Sequence, residues 1–195
     1  MSLRPSRPLG ALYAVAGAML LVAASGCISK RVTRIEPTAV TDLSGRWNDT
    51  DSRLVANQLV EQTLGAGWAK RYTDTHGGEA PTVVVGTFVK DVEKALITTG
   101  AARVVASGEQ RSEMRGERAD QQQHARADTR ARQGQELGAR YMLAGDLQAI
   151  EDVDGRERVV FYQVDASLID LETNTKVWVG QHKIKKYVER ARFGL

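Results

Sequence analysis

The sequence predicts an α/β (α+β) domain, a small mixed sheet with a C-terminal antiparallel three-strand meander packed against helices. Three observations support this fold class. Short β-branched runs alternate with amphipathic helical stretches in the middle of the chain, and the last third alternates apolar and polar residues between two turn sequences. Apolar residues make up 42% and charged residues 26% of the chain, within the range of globular proteins.

The first helix is predicted to run from the stretch Asp42–Arg53 to about Leu64. Candidate N-cap residues precede it: Asn48, Asp49, Thr50 and Ser52. One side carries apolar residues: Leu54, Val55, Leu59 and Val60. Gly65 and Gly67 suit its end, and Ala69–Pro81, with two glycines after His76, is expected to be a loop.

The middle of the chain alternates predicted strands and helices. Strands are expected at Thr82–Phe88 and Ala102–Ser107, and helices at Phe88–Thr99, at Glu109 to about Asp120, and at Ala127–Leu137. Gly100 and Gly138 mark the ends of two of these helices.

The last third is predicted to form the meander. Its strands are Tyr141–Ile150, Val159–Leu171 and Lys176 to about Tyr187, separated by the turn sequences DVDGRER and ETNT. In the middle strand one face is apolar: Val160, Tyr162, Val164, Ala166 and Leu168. The other face carries Gln163, Asp165 and Ser167, so we expect one buried and one wetter face.

The N-terminus has the order of a secretory signal peptide. Met1–Gly10 contains Arg4 and Arg7 and no acid, Ala11–Ala24 is an apolar run, and Ser25 and Gly26 are small. The run of 14 residues is shorter than the roughly 20 that a membrane-spanning helix needs. Without the leader the chain has 25 basic and 24 acidic residues, so charge does not indicate a nucleic-acid partner.

Cys27 is the single cysteine of the chain, which excludes an intramolecular disulfide. The stretch LLVAASGCIS resembles a bacterial lipobox, in which the cysteine receives lipid and the signal is cut before it. Gly26 and Ser25 fit, whereas Ala24 stands where leucine is usual, and ordinary signal-peptidase cleavage is the alternative. The resemblance implies lipid attachment at Cys27, and Ile28 in the next position implies sorting to the outer membrane with the domain facing the periplasm.

We therefore divide the chain into a lipoprotein signal peptide (1–26), a lipidated N-terminus with a short tether (27–41) and a globular domain (42–192). Within the tether, Arg31–Glu36 alternates well enough for a short edge strand, and Pro37 interrupts it.

No pattern of catalytic residues is visible. His76, His124 and His182 fall in three different elements without metal-ligand spacing, and we expect surface residues. Asp152–Gly155 lacks the later positions of a calcium loop and favours a hairpin turn. The sequence predicts a non-enzyme with no catalytic residue, no metal and no cofactor.

Two charged stretches are candidate interaction surfaces. Arg111–Arg132 mixes arginines with acids and is typical of a solvated helix. His182–Arg192 carries five Lys or Arg residues against Glu189, which indicates either a partner surface or a charged edge strand that avoids aggregation.

The stretch Asp42–Arg190, nearly the whole mature chain, resembles the LpoB family of penicillin-binding-protein activators. The most specific segments are LGARYMLAGDL and DLETNTKVWVG, which occur in looser form in the N-terminal domain of TolB and in curli-secretion lipoproteins. The resemblance implies an outer-membrane lipoprotein that binds and activates a bifunctional class A penicillin-binding protein, a glycosyltransferase and transpeptidase. It implies no activity of its own, no nucleic-acid partner and a monomeric domain.

Two features depart from the family pattern. The tether Ile28–Thr41 is short, roughly 50 Å when fully extended, where enterobacterial members have a long Pro- and Gln-rich linker. The segment TVVVGTFVKDVEKAL lacks a longer Asn-containing loop, so no partner-binding residue is transferred. The alternative function is a structural or secretion-related envelope lipoprotein, a curli-type assembly subunit that binds another envelope protein. An envelope hydrolase is a third hypothesis.

Overall fold

The computed structural model describes residues 33–88 and 91–189. Residues 33–37 belong to a different unit from the rest of the described chain, and they are exposed and contain no helix or strand. The tether strand predicted at Arg31–Glu36 is therefore wrong for its last four residues, because Pro37 allows no continuing ladder and nothing pairs with them among the described strands. Its first two residues lie outside the described ranges.

The unit that starts at Thr38 is a mixed α/β domain, as the sequence predicts. Its elements follow in chain order: α1 (Asp49–Gly65), α2 (Trp68–Thr75), β1 (Thr82–Val85), α3 (Asp91–Thr99), β2 (Arg103–Val105), α4 (Gly108–His124), β3 (Tyr141–Asp154), β4 (Glu157–Asp170) and β5 (Lys176–Glu189).

The described strands form one sheet in the order β2-β1-β3-β4-β5. β1 runs parallel to β2 and β3, and the three C-terminal strands pair antiparallel, which confirms the meander. β1 pairs with β3 only over Tyr141–Leu143, whereas β4 pairs with β3 over all of Tyr141–Asp154. More than half of β3 therefore extends past its short parallel neighbour.

The hydrophobic core lies between one face of the sheet and the helices α1, α2 and α3. Buried core side chains come from all these layers: Val55, Leu59, Trp68, Val83, Val92, Leu96, Leu143, Val164 and Leu168. The alternation predicted for β4 is confirmed, since Val160, Tyr162, Val164, Ala166 and Leu168 are all buried. We call the opposite side of the meander the open face; it carries Gln163, Asp165 and Ser167, which are half-buried.

Two turns close the meander as their sequences predict. Gly155, with φ of 55°, lies in the turn between β3 and β4, which confirms the hairpin at Asp152–Gly155. After β4, the Asp170 carboxylate accepts hydrogen bonds from the N–H groups of Glu172 and Thr173, at 2.9 and 3.2 Å, and Asn174 takes a left-handed conformation.

Two local predictions are wrong. The stretch predicted as a loop from Ala69 begins inside α2, because Gly67 takes a left-handed conformation and starts a short helix whose Trp68 is buried. The helix predicted at Ala127–Leu137 is absent from the structure of these residues, where Gly134 has φ of 70° and the chain returns beside α4. Several other bounds shift by a few residues; for example, β1 ends at Val85 and α4 continues to His124.

Candidate partner-binding surfaces

A cluster of ion pairs fastens the segment that leads into the domain to β5. The Lys186 Nζ atom lies 2.6 Å from Oδ1 of Asp42 and 2.6 Å from Oδ2 of Asp51. The side chains of Asp51 and Lys186 are 4% and 9% exposed. Burial works against the charged amine, but the hydrogen bonds to Asp42 and Asp51 outweigh it and raise the pKa of Lys186. The Lys186 hydrogen bond in turn lowers the pKa of Asp42.

Hydrogen bonds to the backbone continue this attachment toward the N-terminus. Side chains at the start of α1 donate to three carbonyl oxygens: Arg53 to Thr38 at 3.1 Å, Thr50 to Ala39 at 3.5 Å and Asn48 to Thr41 at 3.2 Å. The Asn48 side chain also forms a capping box with Asp51 at the N-terminus of α1. The start of α1 thus holds the chain before it at Thr38, Ala39 and Thr41.

The segment then crosses the helix side of β4 and β5 near their ends. The Tyr162 hydroxyl donates a buried hydrogen bond of 2.9 Å to the carbonyl oxygen of Gly45. The Trp47 ring meets the Tyr162 ring edge-on, with 5.4 Å between centroids. A Cβ atom on Gly45 would lie 2.8 Å from a methyl group of Val188, so the close approach requires glycine. The segment belongs to the packed domain.

Residues 106–140 form a long excursion between β2 and β3. α4 contains no buried residue, and its N-terminus has a capping box between Ser107 and Gln110. The return segment is held to α4 by the Glu136 carboxylate, which accepts hydrogen bonds from Arg115 and Arg118 at 2.7 to 3.0 Å. These bonds, with Arg115 contributing most, lower the pKa of Glu136. The excursion is therefore a polar surface element outside the core.

The open face of the meander carries charge of both signs. Asp165 lies at its centre and accepts hydrogen bonds from Gln163 at 2.8 Å and Gln181 at 2.7 Å. These two bonds lower the pKa of Asp165, and the charge of Lys183 adds to the effect. Asp146 stands directly opposite Asp165 on β3. Acidic side chains thus lie on the β3 side and lysines on the β5 side of this face.

The segment of β3 from Asp146 to Asp154, which we call the β3 edge, lies beyond its pairing with β1. Four acidic residues and no basic residue occur in it: Asp146, Glu151, Asp152 and Asp154. Its apolar side chains are exposed, with Leu147 40%, Ile150 64% and Val153 59% accessible. The sequence predicts this strand but does not show that β1 leaves most of one side unpaired.

The residues singled out in the sequence fall in several places. Cys27, the predicted lipid site, and the signal peptide lie outside the described residues. His76 and His124 are exposed, as expected, whereas His182 is half-buried on β5. The structure does not bring the three histidines together.

The lysines of the basic stretch His182–Arg192 lie on different sides of β5. Lys186 belongs to the buried ion cluster, Lys183 and Lys185 lie on the open face, and Arg190 to Arg192 lie outside the described residues. The alternation in KIKKY indicates that Lys186 faces the opposite side of β5 from Lys183 and Lys185. It does not indicate the partners of Lys186, which lie 135 and 144 positions away in the sequence.

The described residues contain neither a metal site nor a membrane-spanning helix. Within 33–88 and 91–189, no group of three or more His, Cys, Asp or Glu residues is arranged to hold a metal ion. None of the helices in these ranges has the length and apolar character needed to cross a membrane.

Comparison with known proteins identifies a family. A family model described as the peptidoglycan-synthase activator LpoB matches residues 51–184. No curated protein matches the chain. Similar solved structures include lipoprotein GNA1162 from Neisseria meningitidis, with 12% identity, a TM-score of 0.37, and coverage of 58% of this chain and 88% of that one. The LpoB C-terminal domain from Salmonella enterica has 13% identity, a TM-score of 0.26, and coverage of 62% and 95%.

Proposed function

The chain belongs to the LpoB family of peptidoglycan-synthase activators, and from this we propose that it is an outer-membrane lipoprotein that binds and activates a bifunctional class A penicillin-binding protein. The family match over residues 51–184, more than half of the chain, carries the proposal. It spans α1 to β5 apart from a few residues at each end, so it covers the sheet and the helices that build the core.

Activation in this proposal is a shift between states of the synthase. A regulator without chemistry of its own changes the activity of an enzyme by binding its more active state more tightly. The catalytic groups then belong to the penicillin-binding protein, which polymerises and cross-links glycan strands. The lipoprotein contributes a binding surface, acts as a monomeric domain and needs no cofactor.

We further propose that Cys27 carries the lipid and that Ile28 after it directs the protein to the outer membrane, with the domain in the periplasm. Acyl chains contribute about 0.8 kcal/mol per buried CH₂, so two or more chains anchor a protein stably. Mass spectrometry of the mature N-terminus tests this step. An unmodified Cys27 in protein that fractionates away from membranes would overturn it.

The attachment of residues 38–42 to α1 and β5 shortens the distance that the tether can span. Because residues from Thr38 onward are bonded to α1 and β5, ten residues at most, 28–37, separate Cys27 from this attached stretch. Fully extended, they span roughly 35 Å at 3.3–3.6 Å per residue. We therefore place the contact with the synthase close to the outer membrane, so the synthase must extend toward it.

Reconstitution tests the proposed function. Mature lipoprotein purified in detergent is added to each class A synthase of the same organism, and glycan polymerisation and cross-linking are measured with binding. We expect one synthase to bind and to work faster. If none binds and none changes in rate, the proposal is wrong; a stable ring in detergent would instead favour the assembly-subunit alternative.

A further inference from the structure

Three strand edges of the sheet differ in how they are protected. Exposed edges invite pairing with other chains, and proteins guard them with short strands, lysines, prolines, bulges or covering elements. β2 is three residues long. β5 carries lysines, and the Gln62 side chain of α1 reaches the carbonyl oxygen of Gln181 on it at 3.4 Å.

The β3 edge has none of these protections within the described structure. It is nine residues long, contains no lysine, arginine or proline, and keeps a continuous register with β4. At Leu143 this side of β3 is still paired, because the N–H of Gly86, directly after β1, donates to the Leu143 carbonyl oxygen at 2.8 Å. The Phe88 ring then lies against Gly145. Beyond Gly145 no described strand pairs with the edge.

The backbone groups of alternate residues point to this edge. In a strand, residues of one parity direct both N–H and C=O to the same neighbour. Leu143 directs its carbonyl to β1, so the alternation assigns the edge-facing groups to Leu147, Ala149, Glu151 and Val153. They offer an added strand up to eight hydrogen-bonding groups.

The side chains along the edge separate by face. Asp146, Asp152 and Asp154 lie on the open face, and among the described residues they form no ion pair. Leu147, Ala149 and Val153 lie on the opposite face, together with Glu151, which pairs with Arg158 at 3.0 Å. Cross-strand neighbours on one face favour opposite charges or apolar contact. A matching strand therefore alternates basic and apolar side chains.

A second copy of this chain is a poor occupant. Pairing of two β3 edges would place acidic strands beside each other, and like charges across a strand pair are destabilising. On the basic strand β5, Gln62 of α1 already occupies the carbonyl oxygen of Gln181, and Lys186 is held by Asp42 and Asp51. The occupant with the required chemistry is a segment of another protein.

We infer that the β3 edge binds an extended segment of a partner protein, in which lysine or arginine alternates with apolar residues, as an added strand. The segment hydrogen-bonds to the backbone of Leu147–Val153, sets its basic side chains beside Asp146, Asp152 and Asp154, and covers Leu147 and Val153. Identifying that partner with the class A synthase rests on the proposed function; strand addition itself does not.

A peptide assay tests strand addition without any synthase. The probe is a labelled nine-residue peptide of alternating lysine and valine, and a glutamate–valine peptide of equal length is its control. We expect the mature protein to bind the lysine peptide and not the glutamate peptide, with amide shifts confined to residues 145–154. Failure to bind, or shifts elsewhere, would overturn the inference.

Two variants sharpen this assay. Asp146→Lys with Asp152→Lys and Asp154→Lys should weaken binding by about ten-fold or more, because three cross-strand charge pairs are reversed. The matched control, Glu109→Lys with Glu113→Lys and Glu117→Lys on exposed α4, changes the charge equally and should stay within about two-fold of wild type. Equal losses in both variants would overturn the site.

Ala149→Pro tests the backbone contacts separately. Its N–H faces the open edge, so proline there spares the pairing with β4 but removes one donor and obstructs an added strand. We expect about ten-fold weaker peptide binding with an unchanged circular dichroism spectrum. If wild-type chains instead associate with each other and Ala149→Pro abolishes this, the occupant is a second copy and the inference is wrong.

The same variants then enter the synthase assay. Loss of stimulation in the triple β3 variant, with stimulation kept in the α4 control, identifies the synthase as the partner. A synthase stimulated equally by all variants leaves the proposed function intact and overturns this identification. No stimulation by the wild type counts against the proposed function, and the peptide result then decides strand addition alone.

Discussion

The helices α1 and α4 are both 17 residues long and both begin with a capping box, yet they differ completely in burial. α1 buries seven residues against the sheet and against α3, whereas α4 buries none. A capping box satisfies backbone N–H groups in the first turn and so defines where a helix starts. It does not determine whether the rest of the domain depends on that helix.

The two helices are stabilised by different means. α1 gains from apolar burial of Val55, Leu59 and Val60, and from the ion cluster around Asp51. α4 depends on polar contacts with its own return segment, mainly those of Glu136 and of Gln122, which donates to the carbonyl of Ala131 at 2.9 Å. α1 therefore belongs to the core, and we expect α4 to unfold as a local unit.

The largest expected effect is in the core side of α1. Leu59 is 1% exposed, so Leu59→Ala leaves a cavity and should lower the free energy of unfolding by about 4 kcal/mol. Urea denaturation measures it, with Met114→Ala on α4, where the side chain is 39% exposed, as the control. The control should change stability by less than about 0.5 kcal/mol. Similar losses for both would mean that α4 is part of the cooperative unit.

The ion cluster at the start of α1 should give the next largest effect. Lys186→Met removes the charge that Asp42 and Asp51 share and leaves a buried carboxylate, so we expect a loss of about 3 kcal/mol in urea denaturation. Lys183→Met on the open face is the matched control and should be nearly neutral. If Lys186→Met is as stable as the control, the segment 38–42 is not fastened by these ions.

Periodicity in the sequence predicts the elements whose contacts repeat locally. The predicted buried face of β4 from Val160 to Leu168 is confirmed because every second side chain packs against the same core. The prediction of an N-cap at the start of α1 is confirmed because the capping residues Asn48 and Asp51 lie within one turn of each other. The family resemblance is also visible in the sequence, and the family model confirms it.

Other features depend on contacts that no local pattern encodes. The prediction of a helix at Ala127–Leu137 is wrong because side chains of α4 bind that segment in a non-helical conformation. The open β3 edge follows from the short length of β1, and the Lys186 cluster joins residues more than 130 positions apart. Of the predicted site residues, Cys27 lies outside the described ranges and stays a prediction.

The two N-caps permit a direct test of the comparison. Asn48→Ala removes the cap of α1 and the bond to Thr41, and should lower the global stability by about 1–2 kcal/mol. Ser107→Ala removes the same type of cap from α4, and we expect faster amide exchange within α4 with little change in global unfolding. Equal shifts of the urea midpoint in both variants would contradict the distinction between core helix and local unit.

The smallest effect concerns the pH dependence of the α4 unit. The hydrogen bonds of Arg115 and Arg118 lower the pKa of Glu136 below its ordinary value of 4.5. A carboxylate with a lowered pKa in the folded state contributes stability above its ordinary pKa, and that contribution is lost as the pH falls through the lowered one. The return segment should therefore detach from α4 on acidification below pH 4.5 while the core remains folded.

Amide chemical shifts of Gly134 and Leu137 between pH 6 and pH 3, a range of about three units around the ordinary carboxyl pKa, measure this detachment. Asp120 and Asp128 are further carboxylates of this excursion, paired with His124 and Arg126, so Glu136→Gln identifies the responsible group. The glutamine variant should show the detached shifts already at neutral pH and no further transition at acidic pH, since an amide gives up the charge-assisted bonds to both arginines. A transition that persists unchanged in this variant would remove Glu136 as the group that holds the excursion together.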